Sequence, residues 1–209
     1  PVFTQLNKNQ TNKTFKEVTR YLTMLTFPAI FGVIILSKDI INAVYGPVYL
    51  PAVMSLYALS SLNIISPKIV FYTSLFQAKE KINLIVKHII TALVINITLN
   101  YVLIKNFTIA HGPSQGIVGA GISTSISWGF LLLMLIKETR KNFDLKLEYT
   151  FGIKALISSL TMSFVILLLP INILIINIVL GIIVYFTALL LIKGLTKTDL
   201  KVLKILKKN

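Results

Sequence analysis

Apolar stretches free of Asp, Glu, Lys and Arg run along the chain at 21–37, 40–67, 89–104, 106–136 and 155–192. Short lysine-rich clusters divide most of them. A spanning helix needs about 20 mostly apolar residues to cross about 30 Å of hydrocarbon, and these stretches meet that requirement. They lack period-two alternation and are far too long for membrane strands. The last stretch is 38 residues long and is divided by Pro170 and Asn172, so it reads as two spans joined by a tight turn. Tyr45-Gly46-Pro47 breaks the first span from the second. The pattern predicts six helices, at roughly 20–44, 48–77, 83–104, 116–137, 151–170 and 173–193. The fold class is all-α, a polytopic membrane helix bundle with six transmembrane helices.

The segments between the spans divide the chain further. Residues 1–19 form a polar lead-in, 20–137 carry four transmembrane helices, and 138–150 form a basic loop. Residues 151–193 are a terminal transmembrane hairpin, and 194–209 a basic amphipathic tail. In that tail Leu200, Leu203 and Leu206 keep one register against Lys201, Lys204, Lys207 and Lys208. With Thr198 as cap and Asp199 in the first turn, this predicts a helix lying on anionic lipid, or alternatively one that binds a partner. The chain opens at Pro1 on a polar run without a signal-peptide pattern, and is expected to be a piece of a longer polypeptide.

Composition sharpens the membrane assignment. Hydrophobic residues make up 55% of the chain and charged residues 13%, against about a quarter charged in soluble domains. The net charge of +14 raises nucleic acid as a partner. A nucleic-acid binder gathers its cations on one folded face without such an apolar excess, so that partner is set aside. The lysines instead mark a side. With six spans both ends share one side, which then holds 18 of the 21 basic residues. Lys38 and Lys105 fall opposite, and Lys68 lies inside a span. The positive-inside rule makes both termini cytoplasmic, in a multi-pass protein of the cell membrane whose first partner is the lipid bilayer. There is no cysteine, and His88 and His111 are too few for a metal or catalytic cluster, so no cofactor is expected.

The stretch LNYVLIKNFTIAHGPSQGIVGAGISTSISWG, residues 99–129, departs from the apolar pattern. Lys105 and the polar residues after it are expected to form an external, water-exposed turn between the third and fourth helices. Beyond it Gly121, Ser125 and Gly129 recur every four residues, beside a second row of Gly119, Ser123 and Ser127. Small residues let helices approach closely where lipid removes the hydrophobic drive for association, so these rows predict a packing face. The alternative is a hydroxyl-lined conduit.

The same stretch carries a family resemblance. INITLNYVLI, a short loop and GIVGAGISTSIS resemble a region of the oligosaccharide flippases, of the superfamily shared with multidrug and toxin extrusion transporters and the lipid II flippase. FPAIFGVIILSKDIINAVYGPVYLPA, SLFQAKEKINL and LTKTDLKVLKIL resemble further family regions in the same order. Gly121 departs from the alanine usual there, a conservative change for packing. The resemblance implies two pseudo-symmetric lobes of twelve or fourteen helices in all, with the lipid-linked sugar handled between them. This chain resembles the last six helices of a fourteen-helix member, a fragment lacking the N-terminal lobe, which would be its partner in the same polypeptide.

Moving a lipid-linked sugar across a bilayer makes and breaks no bond, so an enzyme's acid–base pair or nucleophile is not required. What it requires is a polar, preferably cationic, cavity and an apolar surface for the lipid tail. Ionisable groups inside spans are costly and are functional candidates by default. Lys68, next to Pro67, is such a group, although its long stem can also snorkel to the interface. Asn96 and Asn100 lie one turn apart on one face and either line the substrate path or bond between helices. Lys38, Asp39 and His88 read as interfacial. Asn106-Phe107-Thr108 is a glycosylation sequon close to the membrane. Two other functions fit the composition: a cation-coupled multidrug extruder, and a membrane scaffold or the membrane part of a glycosyltransferase. The extra hairpin at 151–193 favours the polysaccharide branch over drug extruders, and no DxD-type acidic pair supports a transferase.

Overall fold

The break read at Tyr45-Gly46-Pro47 is where the chain turns in the computed structural model, which describes residues 8–145, 149–169, 171 and 173–195. Gly46 takes a φ of +88°, a conformation that side chains resist and glycine adopts freely. Before it run α1 (Lys8–Ile35) and α2 (Ser37–Tyr45), and after it a 3-10 turn (Pro47–Ala52) leads into α3 (Val53–Ser60) and α4 (Leu62–Ala78). Helix α5 (Asn83–His111) is joined to α6 (Gly116–Phe143) through Gly112 and the short 3-10 turn Pro113–Gln115. Helices α7 (Tyr149–Leu168) and α8 (Leu174–Leu191) follow. Six of the helical segments are long and apolar enough to cross a membrane. Pro170, Asn172, Lys146, residues 1–7 and the tail helix expected at Thr198–Lys208 lie outside the described residues.

Three boundaries differ from the sequence reading. The first helix already runs at Lys8, the first described residue, inside the expected lead-in. Phe15 is buried there, with its ring 5.7 Å from Tyr72 of α4, so tertiary packing extends the helix beyond its apolar run. The second crossing is broken at Ser61 into α3 and α4 rather than running as one rod. The expected external loop after Lys105 is the third. Lys105 through His111 continue α5, and the turn shrinks to Gly112, at φ +96°, and the 3-10 residues. The Gly112 amide still reaches the Thr108 carbonyl at 3.0 Å, so the backbone ladder runs through the polar residues.

Two buried clusters organise the packing. One gathers Phe15, Tyr72, Phe76, Ile85, Leu135 and Leu145 from α1, α4, α5, α6 and the residues after α6. The other joins Leu36 to Ala155, Met162 and Ile166 of α7 and to Tyr185 and Leu189 of α8. Helix α1 serves both, and the α7–α8 hairpin packs against it. A backbone defect fixes this contact. Pro28 has no N–H, which leaves the Met24 carbonyl one turn earlier without its helical partner. Tyr185 fills the gap, donating its hydroxyl to the Met24 carbonyl at 2.9 Å. One end of the hairpin is tied to the same helix by Arg20, which donates to the Gly194 carbonyl at 2.8 Å and lies 4.8 Å from the Phe151 ring centre. Lys154 donates to the adjacent Lys193 carbonyl at 2.9 Å. These cations sit where the carbonyls of α8 point, the end at which a helix dipole favours positive charge.

Candidate functional site

The polar interior begins with the pairing of α5 and α6. Because α5 continues to His111, its last turns lie directly against the first turns of α6. A Cβ built on Gly119 would stand 2.6 Å from the Leu103 carbonyl oxygen, and one on Gly116 would stand 2.6 Å from the Thr108 hydroxyl. Only glycine permits that approach. Gly121, on the other side of α6, faces α3, where a built Cβ would stand 2.9 Å from Ala58 Cβ. Ser125 extends this row by donating to the Ala58 carbonyl at 2.6 Å and accepting from Ser61 at 2.8 Å. The small residues of α6 thus meet two neighbours, α5 and α3. Gly129 differs: nothing lies within 4 Å of a Cβ built there, so the row parts from its neighbour before reaching it.

Asn96 and Asn100 occupy the centre of the hairpin. Asn100 donates to Asn96 Oδ1 at 3.0 Å and accepts from the Ser123 hydroxyl. Asn96 donates to Ser127 at 3.0 Å and reaches Thr124 at 3.5 Å. The result is a chain of polar groups linking α5 to α6, in which the two amides bond to each other and to hydroxyls of α6. Buried amides and hydroxyls in lipid cost most when left unpaired, so their mutual satisfaction fixes the rotation of the two helices.

Lys68 stands apart from this network. It lies half-buried on α4, ten residues before the helix ends at Ala78. At 1.5 Å per residue that is about 15 Å of depth. Among the described residues it has no carboxylate at ion-pair distance. Helices α4 and α5 pack on α6 rather than on each other. The structure therefore does not unite Lys68 with Asn96 and Asn100. Asn106 of the sequon is exposed on α5, within the helix rather than on a loop.

Two further features escaped the sequence reading. An apolar groove of about 410 Å³ opens between α1 and α8, walled by Leu25, Pro28, Val33, Ile178, Ile182 and Phe186. Its floor includes Asn177, which donates to the Ile171 carbonyl at 2.7 Å. The signal for it was Pro28 and Gly32, which leave one side of α1 without bulk. The second is His88, read as an interfacial residue, which pairs with Glu138 across the α5–α6 hairpin at 3.1 Å. Basic residues collect at that end: Lys79 and Lys81 follow α4, Arg140 and Lys141 close α6, and Lys154 and Lys193 flank the terminal hairpin.

With this geometry in place, comparison with known proteins identifies the relatives. The family described as polysaccharide biosynthesis protein matches residues 1–54, which span α1, α2 and the 3-10 turn after Gly46. Over 205 residues the chain is 27% identical to the probable low-salt glycan biosynthesis flippase Agl15 of Haloferax volcanii. That match covers 93% of this chain and 42% of the relative. The similarity to a glycan biosynthesis flippase agrees with the resemblance read from the sequence. Among solved structures, the lipid II flippase MurJ in its inward closed conformation shares the fold, with a TM-score of 0.66 at 21% identity. The match takes in 90% of this chain and 40% of MurJ. The chain therefore spans about two fifths of the length of either flippase. The all-helical fold read from the hydropathy pattern agrees with the MurJ structure.

Proposed function

We propose that this chain is part of a membrane transporter that flips or exports lipid-linked oligosaccharide precursors for cell-surface polysaccharide or glycan synthesis. The observation that carries this reading is the similarity to a glycan biosynthesis flippase along 93% of the chain, spread over all six crossings. The geometry supports it. Flipping needs a polar passage for pyrophosphate and sugar beside an apolar path for the lipid tail. Lys68, about 15 Å inside the end of α4 and without a carboxylate partner among the described residues, offers a cation for the pyrophosphate. The apolar groove between α1 and α8 offers a surface for the tail. Asn96 and Asn100, bonded to each other and to α6 rather than placed beside Lys68, hold α5 to α6. The α6 small-residue rows, with Gly119, Gly121 and Ser125 at the contacts, keep the bundle tight enough to move as one body. No step of this process needs an acid–base pair or a nucleophile.

On this reading an N-terminal lobe of the same polypeptide supplies the opposite wall, and both ends of the chain face the cytoplasm. Residues 20–137 form part of the transport lobe, and 151–193 an added hairpin, a feature that favours the polysaccharide branch over drug extruders. Ligand-induced stabilisation of the complete polypeptide tests the substrate class. A ligand that binds the folded state raises its melting temperature by mass action. A polyprenyl-pyrophosphate-linked oligosaccharide is expected to raise it, and cationic drugs such as ethidium to leave it unchanged. The reverse pattern assigns the chain to drug extrusion instead.

A further inference from the structure

Helix α4 is patterned the wrong way round for a helix that meets lipid. Tyr72, Leu75 and Phe76 are buried in the first core cluster, with Ile65 and Ile69 packed against it. On the opposite side lie Asn63, Ser66, Pro67, Val70, Ser74 and Gln77, within an arc of about 100° at 3.6 residues per turn. Asn63, Val70, Ser74 and Gln77 are exposed, and Ser66 and Pro67 partly so. Away from the core, α5 instead presents Leu93, Ile97 and Tyr101, and α8 presents Ile175, Val179 and Ile182. Those faces suit hydrocarbon. The outward face of α4 sets one aliphatic side chain, Val70, among amides, hydroxyls and a proline.

The polar groups on this face are short of partners. Exposed threonines of α5 and α8 return their hydroxyls to the carbonyl four residues back, as Thr91, Thr98 and Thr187 do. Ser74 does the same, donating to the Val70 carbonyl at 2.8 Å. The amides are not satisfied in that way. Asn63 donates once, to the Ser60 carbonyl at 3.2 Å, and its Oδ1 has no partner among the described residues. The Gln77 amide has none among them either. Pro67 adds a backbone acceptor, because it lacks the N–H that would bond the Asn63 carbonyl. On α1 the carbonyl that Pro28 leaves bare is answered by Tyr185. Among the described residues no side chain answers the one at Asn63. Asn63 lies fifteen residues before Ala78. That is about 22 Å inside the end of α4, past the middle of a hydrocarbon layer of about 30 Å. Open amides and a bare carbonyl at that depth call for water or a polar ligand.

We propose that the outward face of α4, from Asn63 to Gln77, is a wall of the substrate passage and takes the sugar part of the lipid-linked oligosaccharide. The assignment rests on the transporter reading above. The face itself carries no charge, since Lys68 stands about 100° round the helix from Pro67. Amides and hydroxyls both donate and accept, which is what sugar hydroxyls need, whereas a pyrophosphate only accepts. A hydrocarbon tail would use none of these groups. A second lobe packed flat on this face would need small residues of the kind α6 presents to α5, and Asn63, Val70 and Gln77 are larger. The sugar thus meets a run of hydrogen-bonding groups about 21 Å long, starting at the lysine-rich end of the bundle.

The test is thiol labelling of the complete polypeptide, freed of any other cysteine and held in lipid nanodiscs, where a charged methanethiosulfonate reaches both sides. Ser66→Cys and Val70→Cys should react, and Ile97→Cys, on the outward face of α5, should not. Ser74→Cys gives the same readout should either of the first two fail to fold. With a polyprenyl-pyrophosphate-linked oligosaccharide at about ten times its dissociation constant, labelling on α4 should slow about tenfold by mass action. Polyprenyl pyrophosphate without the sugar, at saturation, should leave it fast. Thiols on α4 as unreactive as Ile97→Cys overturn the wall, and equal protection by the sugar-free lipid overturns the sugar assignment. The melting temperature of the same samples separates this proposal from the transporter reading. A melt raised by the oligosaccharide while labelling stays fast overturns the α4 assignment and leaves that reading intact, whereas no rise in the melt removes both.

Discussion

At the scale of single residues, two glycines of α6 make opposite predictions. Gly119 meets the Leu103 backbone, which cannot yield as a side chain can. Gly119→Ala is therefore expected to cost about 1–3 kcal/mol, the usual range for overpacking. Gly129 has open space around it, so Gly129→Ala should be neutral or gain about 0.5–1 kcal/mol from restricting the unfolded chain. Melting temperatures of the two variants in one detergent check both. Tyr185 supplies a third case. It is fully buried, and its hydroxyl answers the carbonyl that Pro28 leaves bare. Tyr185→Phe strands that carbonyl and should cost about 1–3 kcal/mol, the penalty for an unsatisfied buried group. The rows of small residues were legible from spacing. Which neighbour each row meets was not, because Gly121 and Gly129 look alike until α3 is placed. The Tyr185 bond had a usable signal in Pro28, since a proline inside a helix always frees the carbonyl four residues earlier.

At the scale of elements, the apolar runs gave six helices of the right order, but their ends followed packing rather than polarity. Polar residues from Lys105 to His111 suggested a loop, yet they complete the last turns of α5, which pack against the first turns of α6 at Gly116 and Gly119. Once the turn is placed at Gly112, the pairing of the hairpin follows. Residues nearly equidistant from it meet, as Leu103 with Gly119, Asn100 with Ser123, and His88 with Glu138 do. The misplaced loop is why the His88 pair was not found from sequence. A double-mutant cycle tests the hairpin's centre. Asn100→Ala and Ser123→Ala should couple, with an interaction energy of about 0.6 kcal/mol, typical of such bonds in membrane bundles. Asn100→Ala and Ser125→Ala should be additive, since Ser125 bonds to α3 and its boundary with α4 instead. Additivity in the first pair would show that the network contributes nothing to the contact.

At the scale of the whole molecule, the lysine asymmetry was the most legible feature, because it depends on counting charges between spans and not on any contact. It gives an orientation that labelling can check. A cysteine at position 10 should react only after permeabilisation, and one at position 114 in intact cells; reaction of both from outside contradicts the proposed topology. The proposed passage was less legible: Lys68 and the Asn96–Asn100 pair were separate candidates for it, and the structure places them on α4 and α5, which both pack on α6. The most direct measurement is of flipping by the complete polypeptide, reconstituted in vesicles with a fluorescent polyprenyl-pyrophosphate-linked oligosaccharide. Wild-type protein is expected to equilibrate the probe between leaflets well above protein-free vesicles. Lys68→Ala should slow it with an unchanged melting temperature. Probe movement no faster than in protein-free vesicles, from protein that melts as a folded bundle, would contradict the account.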